Sequence, residues 1–414
     1  MKRTTTALAV ILTIAAAASI FAADPMPEQP PFPDSLVIGN DEDVTKARLI
    51  MGNDQWIQPH FFLQTGFSSA KTWDESAGET KSRANYSKDF YIRACRIILN
   101  GQFAPNVYFY FASEDLKAGK SAEDDSNVNS GTGKNNIYTQ DAYIKFMPAR
   151  AFQVYAGLLT VPLTRVNIQS DATLLGTEPV QVMNTMSGFS NNGRDTGVML
   201  RGVAPYFEYR LGAYRGLARK VEKDSNGNPK TTRNYSNAPR LSARIAMNGA
   251  DSEDGYFYSE NYLGKRLVFS MGGGVDYQKD VNKNDDYLAF AADFAVDMPV
   301  NMANVFGISV FQFQGGFLKV QKYPSDADTQ IKRSTSLFAE VGILMYDKIQ
   351  PMARFSYRDE AGTGAKSYKT ITGGFNYFIN GHHANIKLGV DVPIGSNKKY
   401  ADQLKGTLQF QGYM

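Results

Sequence analysis

The sequence predicts an all-β protein: a sixteen-stranded antiparallel transmembrane β-barrel with one long loop folded into its lumen. Polar and apolar residues alternate over short stretches along most of the chain. The connections between those stretches are by turns short and long. The chain also opens on an export signal, yet no later stretch is apolar enough for a membrane helix, and the mean hydropathy is −0.34. Such alternation sets every second side chain against lipid and the others in a wet lumen. Gln140–Met147 shows the unit, with Ala142, Ile144 and Phe146 on one face and Asp141, Tyr143 and Lys145 on the other. After the turn Pro148-Ala149-Arg150, the residues Phe152, Val154, Ala156 and Leu158 resume the apolar face.

Residues 1–22 read as a secretory signal: Lys2 and Arg3 supply the positive end, Ala7–Ile20 the apolar run, and Ala22 or Ala23 the small residue at the cleavage point. Residues 23–55 read as a lead-in. Pro25, Pro27, Pro30, Pro31 and Pro33 keep its first part extended, and the remainder fits no element. The barrel occupies 56–414. Its predicted strands are 56–68, 89–103, 106–115, 137–147, 150–160, 195–203, 205–216, 238–249, 267–277, 287–297, 306–318, 335–346, 348–358, 367–379, 383–392 and 404–414.

Pro105-Asn106, Tyr346-Asp347-Lys348 and Asn380-Gly381-His382 are tight turns, the Asn-Gly step being a strong hairpin signal. Long connections are expected after odd strands, among them the acidic stretch Ala118–Asn136. The connection Gly249–Arg266 breaks the rule, being long on the short-turn side. At about 24 residues per strand with its connection, the barrel is wide enough for an aqueous channel.

Parity assigns the faces. Phe109, Phe111, Phe207, Tyr209, Leu211, Leu241, Ala243, Ile245, Phe290, Phe294 and Val296 share one parity. Glu114, Asp141, Lys145, Arg201, Glu208, Arg210, Arg240, Arg244, Asp293, Asp297, Arg354, Arg358, Lys387 and Asp391 share the other. A charge on the lipid face at mid-bilayer costs about 2–4 kcal/mol, so the second set belongs in the lumen. Arg201, Arg210, Arg240 and Arg244 come from consecutive strands and predict a basic wall, with acids opposite setting a field across the pore. The longest insertion, Val161–Gly193, is too apolar for water (Leu174, Leu175, Val180, Val182, Met183, Phe189) and is expected to turn inward and narrow the pore.

Other chemistries are poorly supplied. Cys95 is the only cysteine and shares an apolar face with Ile97 and Leu99, so no disulfide framework is available. The net charge of +3 becomes +1 once Lys2 and Arg3 are removed, too little for nucleic-acid binding. There is no G-x-S-x-G, P-loop or H-E-x-x-H, and two of the three histidines, His382 and His383, fall in a tight turn, leaving His60. Asp124-Asp125-Ser126-Asn127 and Asp224–Asn228 lack calcium-loop spacing and read as solvated loop. Gly272–Gly274, inside a strand, reads as a bend or a close backbone approach.

Six stretches together resemble the phosphate-selective porin O and P family: Phe90–Gly101, Asn106–Asp115, Asp141–Pro162, Gly193–Gly202, Ile349–Tyr357 and Gly373–Gly381. They span nearly all of 56–414 in the family's order; the final residue, Met414, departs from the family's usual Phe. The resemblance implies a trimeric outer-membrane porin of sixteen strands whose third long loop enters the lumen. It further implies passive passage of anions, phosphate in the best-known members. No cofactor is expected, and the expected partners are outer-membrane lipid and small anions or other small solutes. The expected constriction comprises Arg96, Lys145, Arg165, Arg194, Arg201, Arg210, Arg240 and Arg244, with Asp141 and Glu178 as acidic members. The alternative is a plugged or structural barrel acting through its surface loops.

Overall fold

A computed structural model describes residues 48–52, 54–72, 85–115, 137–183, 193–216, 238–282, 285–302, 307–322, 333–361, 367–394 and 404–414. The signal segment, the proline-rich stretch, the acidic loop 118–136 and both aspartate-rich loops lie outside the described residues.

Strands arise where alternation is sustained. They are β1 (Leu49–Gly52), β2 (Gln55–Thr72), β3 (Asn85–Ala104), β4 (Val107–Asp115), β5 (Ile137–Ala149), β6 (Phe152–Thr160), β7 (Arg194–Ala204), β8 (Phe207–Tyr214) and β9 (Arg240–Asn248). The second half holds β10 (Val268–Asn282), β11 (Asp285–Met302), β12 (Ile308–Lys322), β13 (Ser334–Met345), β14 (Ile349–Glu360), β15 (Ser367–Asn380), β16 (Ala384–Pro393) and β17 (Lys405–Tyr413). Each strand from β2 to β17 pairs antiparallel with the next, and β17 pairs with β2, so the sixteen-stranded barrel is closed and has no free edge. Phe61 and Met414 exchange both backbone hydrogen bonds at 2.9 and 3.0 Å, which carries the closure to the last residue.

The expected strands are present, with two corrections. Leu49–Gly52, inside the expected lead-in, pairs with the start of β2, Leu49 opposite Ile57. It covers backbone that β17 does not reach, since β17 pairs only from Phe62 to Ala70. The expected long connection between 277 and 287 is instead hairpin: β10 and β11 continue to the pair Asn282–Asp285. Tyr277 and Tyr287 suit strand, and the Tyr277 hydroxyl donates to Asp286 (3.0 Å).

The tight turns use the conformations their residues favour. Asn106 adopts φ +64° after Pro105, and Tyr346 and Asp347 sit at +53° and +55°, the left-handed pair that matches hairpin twist. Gly381 reverses the chain at φ +48°. Cys95, Ile97 and Leu99 face outward as expected. In β3, however, a bulge opposite Gln64 and Thr65 shifts the parity, so Arg93 and Arg96 both point inward.

The core is the lumen rather than a slab between sheets. Tyr110, Tyr143, Tyr155 and Tyr214 of the wall pack with Leu159, Val161, Leu163, Val180, Met183 and Tyr256. Outward positions such as Phe269, Met271, Ile245 and Leu388 are exposed on the opposite face, the surface a bilayer would cover.

The constriction of the barrel

The long insertion enters the lumen, as its apolar residues require: Val161, Leu163, Ile168, Leu175 and Met183 are each 0% exposed. Its described residues include three single-turn 3-10 helices, Val166–Ile168, Asp171–Thr173 and Gln181–Met183. Irregular backbone buried in a lumen needs outside partners for its polar groups, and the wall supplies them. Gln411 donates to Ala172 O (2.9 Å), Asn376 to Leu175 O (2.8 Å), Gln409 to Thr177 O (3.1 Å) and Arg354 to Glu178 O (2.8 Å), while Lys387 donates to Leu174 O. Gly274 sits where a Cβ would lie 2.2 Å from Leu163 O, and one at Gly272 would meet the Arg244 guanidinium at 2.3 Å. Both glycines permit close approach inside a strand.

A second loop enters from the opposite end. Residues 249–267, the connection that is too long for its side, run up the lumen and meet the first loop. Tyr258 N–H donates to Ile168 O (2.8 Å) and Ser170 N–H to Tyr258 O (2.9 Å), a short bridge between loops from opposite rims. Glu260 N–H donates to Thr173 Oγ1 and Leu175 N–H to Glu260 Oε2, both at 3.0 Å. Arg165 forks onto Glu253 at 2.5 and 2.6 Å, both side chains being buried.

Beside Glu260, Gln314 donates to it and to Glu340, and Arg354 pairs with Glu340 (2.7 Å). Burial and the Glu340 charge push the Glu260 carboxyl well above the usual range. At the foot of the loop, His382 Nε2 lies 2.8 Å from Asn261 O. His382 is therefore a buried anchor and not the solvated turn residue its position suggests.

The predicted site residues fall into groups. Arg201, Arg210 and Arg244 stand directly opposite one another on β7, β8 and β9. The ring of Tyr258 touches this row, with Arg210 4.9 Å, Arg244 5.8 Å and Arg165 4.7 Å from its centroid, and its hydroxyl donates to Glu208 (2.7 Å). Lys145 lies 4.8 Å from the Tyr108 ring and 6.0 Å from that of Tyr155.

A second group encloses a cavity of about 40 Å³ bordered by Arg96, Arg194, Asp141 and Asp171. In it Arg96 pairs with Glu114 and Asp171, Arg194 with Asp141 (2.9 Å), and Arg93 with Glu178 (3.0 Å). Burial opposes ionisation of Asp171, yet Arg96 and Arg93 hold its carboxyl well below the usual range. Arg240 stands apart at the long-loop end of β9, forked onto Asp276.

The expected basic wall with acids opposite is corrected in one respect. Arg201 and Arg210 share Glu208 (2.8 and 2.6 Å) and Arg244 forks onto Asp293 (2.7 and 2.6 Å), so the acids interleave with the arginines instead of facing them. Like charges in register on neighbouring buried strands require such partners. Arg201 and Arg210 also donate to Gly255 O (2.7 Å) and Tyr256 O (2.8 Å), which holds the second loop. Sequence reasoning missed Arg93, Asp171, Glu253, Glu260, Tyr256 and Tyr258. The signal for the last four was the excess length of 249–266, and for Arg93 only the bulge reveals its direction.

No protein-family model matches the chain, and no curated protein matches it. Solved structures do resemble it. OmpF of Salmonella typhi, solved with daunomycin, aligns with TM-score 0.57 at 9% identity, covering 89% of this chain and 100% of that one. The anion-selective porin of Comamonas acidovorans gives 0.54 at 10% identity, with 87% and 100% covered. The outer membrane channel DcaP of Acinetobacter baumannii gives 0.53 at 14%, with 89% and 100% covered. The chain thus has the fold of outer-membrane porins.

Proposed function

We propose that this protein is an outer-membrane porin that lets small hydrophilic solutes diffuse passively, with a preference for anions. The observation that carries the reading is a closed sixteen-stranded barrel whose lumen is lined by charged and amide side chains and narrowed by an inserted loop. The arginine row on β7–β9 and the group around Arg96 support the anion preference, as does the likeness to an anion-selective porin. Each of these guanidiniums already holds a carboxylate, so an entering phosphate must displace one; passage rather than tight retention is expected. Membership of the O and P family, export through a cleaved signal and a homotrimeric state belong to this same proposal.

One observation favours a second reading, a closed barrel acting through its surface loops: two loops from opposite rims interlock across the lumen. Planar-bilayer conductance in a tenfold KCl gradient separates the two. Steps with an anion-selective reversal potential support the porin, and a correctly folded barrel that gives no steps replaces it with the closed barrel.

A further inference from the structure

The outward face of β12–β15 changes character toward the long-loop end. Along the middle of this face Phe317, Leu337, Phe355 and Ile371 are exposed on four adjacent strands. Just beyond them Lys319 stands opposite Thr335, Thr335 opposite Asp359, and Asp359 opposite Ser367. Lys369, opposite Tyr357, and the exposed Arg333, whose carbonyl accepts from Ala361 N–H (2.8 Å), complete the patch. Three cations, two hydroxyls, a phenol and one carboxylate therefore share a span of four strands, about 15 Å at the usual strand spacing. The opposite ends of the same strands present Ser309, Met345, Ile349 and Ile379 outward.

We propose that this patch binds the phosphate-bearing headgroup of a membrane lipid whose acyl chains lie along Phe317, Leu337, Phe355 and Ile371. Lysines on a lipid-facing rim ordinarily snorkel one by one into the headgroup layer. Here the two ammoniums are held in place: Lys319 Nζ donates to Thr335 Oγ1 (2.7 Å), and Lys369 Nζ lies 5.5 Å from the Tyr357 ring centroid. Asp359 offsets one of the three positive charges, so the patch keeps a net positive charge that complements a phosphate dianion and disfavours a zwitterion. The hydroxyls of Thr335 and Ser367 are within the same row as further donors. The cations on the outward strand face cluster at the long-loop end, and the exposed Lys348 at the other end lies in a turn beside Asp347; that asymmetry matches a lipid present in one leaflet. The inference rests on the membrane-spanning reading of the barrel, but not on conduction.

The test is native mass spectrometry of the full-length protein, folded in detergent micelles with a synthetic diglucosamine lipid bearing two phosphates or none. The phosphorylated lipid is expected to be retained about tenfold more than its dephosphorylated form, equivalent to about 1.4 kcal/mol. Lys319→Gln/Arg333→Gln/Lys369→Gln should abolish that difference while bilayer conductance stays unchanged. Lys319→Gln alone, the safer variant for folding, should reduce it severalfold. Equal retention of the two lipids, an undiminished ratio in either variant, or displacement by millimolar inorganic phosphate would each overturn the proposal; the last would make the patch a site for free anions. A barrel that conducts nothing but keeps the lipid preference removes the porin reading and leaves this one standing.

Discussion

The fork of Arg165 on Glu253 joins a loop from one rim to a loop from the other, so breaking it tests whether the two act as a lock. Glu253→Gln removes the charge that both guanidinium nitrogens meet at 2.5 and 2.6 Å. Arg165 keeps its bond to Ser259 O (3.2 Å) and its place by the Tyr258 ring. Truncating one partner of a buried pair costs about 3–5 kcal/mol, because the other charge is left uncompensated. Spread over the docked and undocked loops, that raises the undocked fraction by a factor on the order of 10²–10⁴. Wall contacts such as Arg201 to Gly255 O resist release and absorb part of the change. The assay is single-channel recording of refolded protein, with heat-modifiable gel mobility as the folding control. Glu253→Gln is expected to enlarge the unit conductance or lengthen open times by more than tenfold. The double variant Arg165→Met/Glu253→Met, which leaves no orphan charge, should fall nearer the wild type, as a double-mutant cycle requires of a coupled pair. Conductance and open times in Glu253→Gln within about twofold of wild type would refute the lock, since a pair of this burial cannot be silent in an equilibrium it controls.

Three further outcomes are expected. Arg244→Gln strands the Asp293 carboxylate in the lumen, so the reversal potential in a KCl gradient should move toward that of K⁺; no movement would remove Arg244 from the permeation path. Gly274→Ala sets a methyl against Leu163 O and should cost about 1–3 kcal/mol in urea unfolding, while Gly273→Ala, whose nearest neighbour lies at 3.4 Å, should be near neutral. Burial, with Lys387, Lys265 and His383 nearby, pushes His382 down to about 3 against the opposing Asn261 carbonyl; Phe378 and the amide of Gln411 pack beside it. Its folded value lies below its ordinary 6.5, so unfolding takes up a proton between the two. The stability that neutral His382 gives is complete above pH 6.5, falls as pH drops from 6.5 to 3, and amounts to a few kcal/mol. Conductance titrated over that window should rise as the second loop loosens, and His382→Leu should remove the dependence.

The barrel was legible because alternation repeats in every strand and a one-residue slip would turn every side chain to the wrong face. Leu49–Gly52 was not, since four residues, three of them exposed, carry no period. Arg93 was hidden by a bulge that inverts parity for part of β3. Arg201 and Arg244 were found because charge at lumen parity is a local signal. Their partners Glu208 and Asp293 share that parity, yet parity puts a charge in the lumen without saying which charge it meets. Glu253 and Glu260 stayed hidden because they reach the lumen on a loop whose direction no local pattern encodes. Length alone marked 249–266 as unusual, and length says nothing about which way a loop folds.

A sixteen-stranded barrel is too wide for wall side chains to close, so whatever narrows it must be backbone brought in from a rim. Buried backbone needs donors and acceptors along its whole path, and this sets much of the lumen's composition. Gln409, Gln411, Asn376 and Lys387 face inward and would pass for pore lining, yet each donates to a carbonyl of the first loop. Arg201 and Arg210 do the same for the second. Inward polarity therefore serves two tasks, holding the loops and meeting the solute. They are separable by chemistry: a clamp is spent on a main-chain carbonyl, whereas the Arg244 and Arg96 guanidiniums are held by the carboxylates of Asp293, Glu114 and Asp171, of which Asp293 also accepts from Arg165 N–H (3.0 Å). Substituting a clamp should change how far the lumen is closed, and substituting a side-chain pair should change which ions cross it.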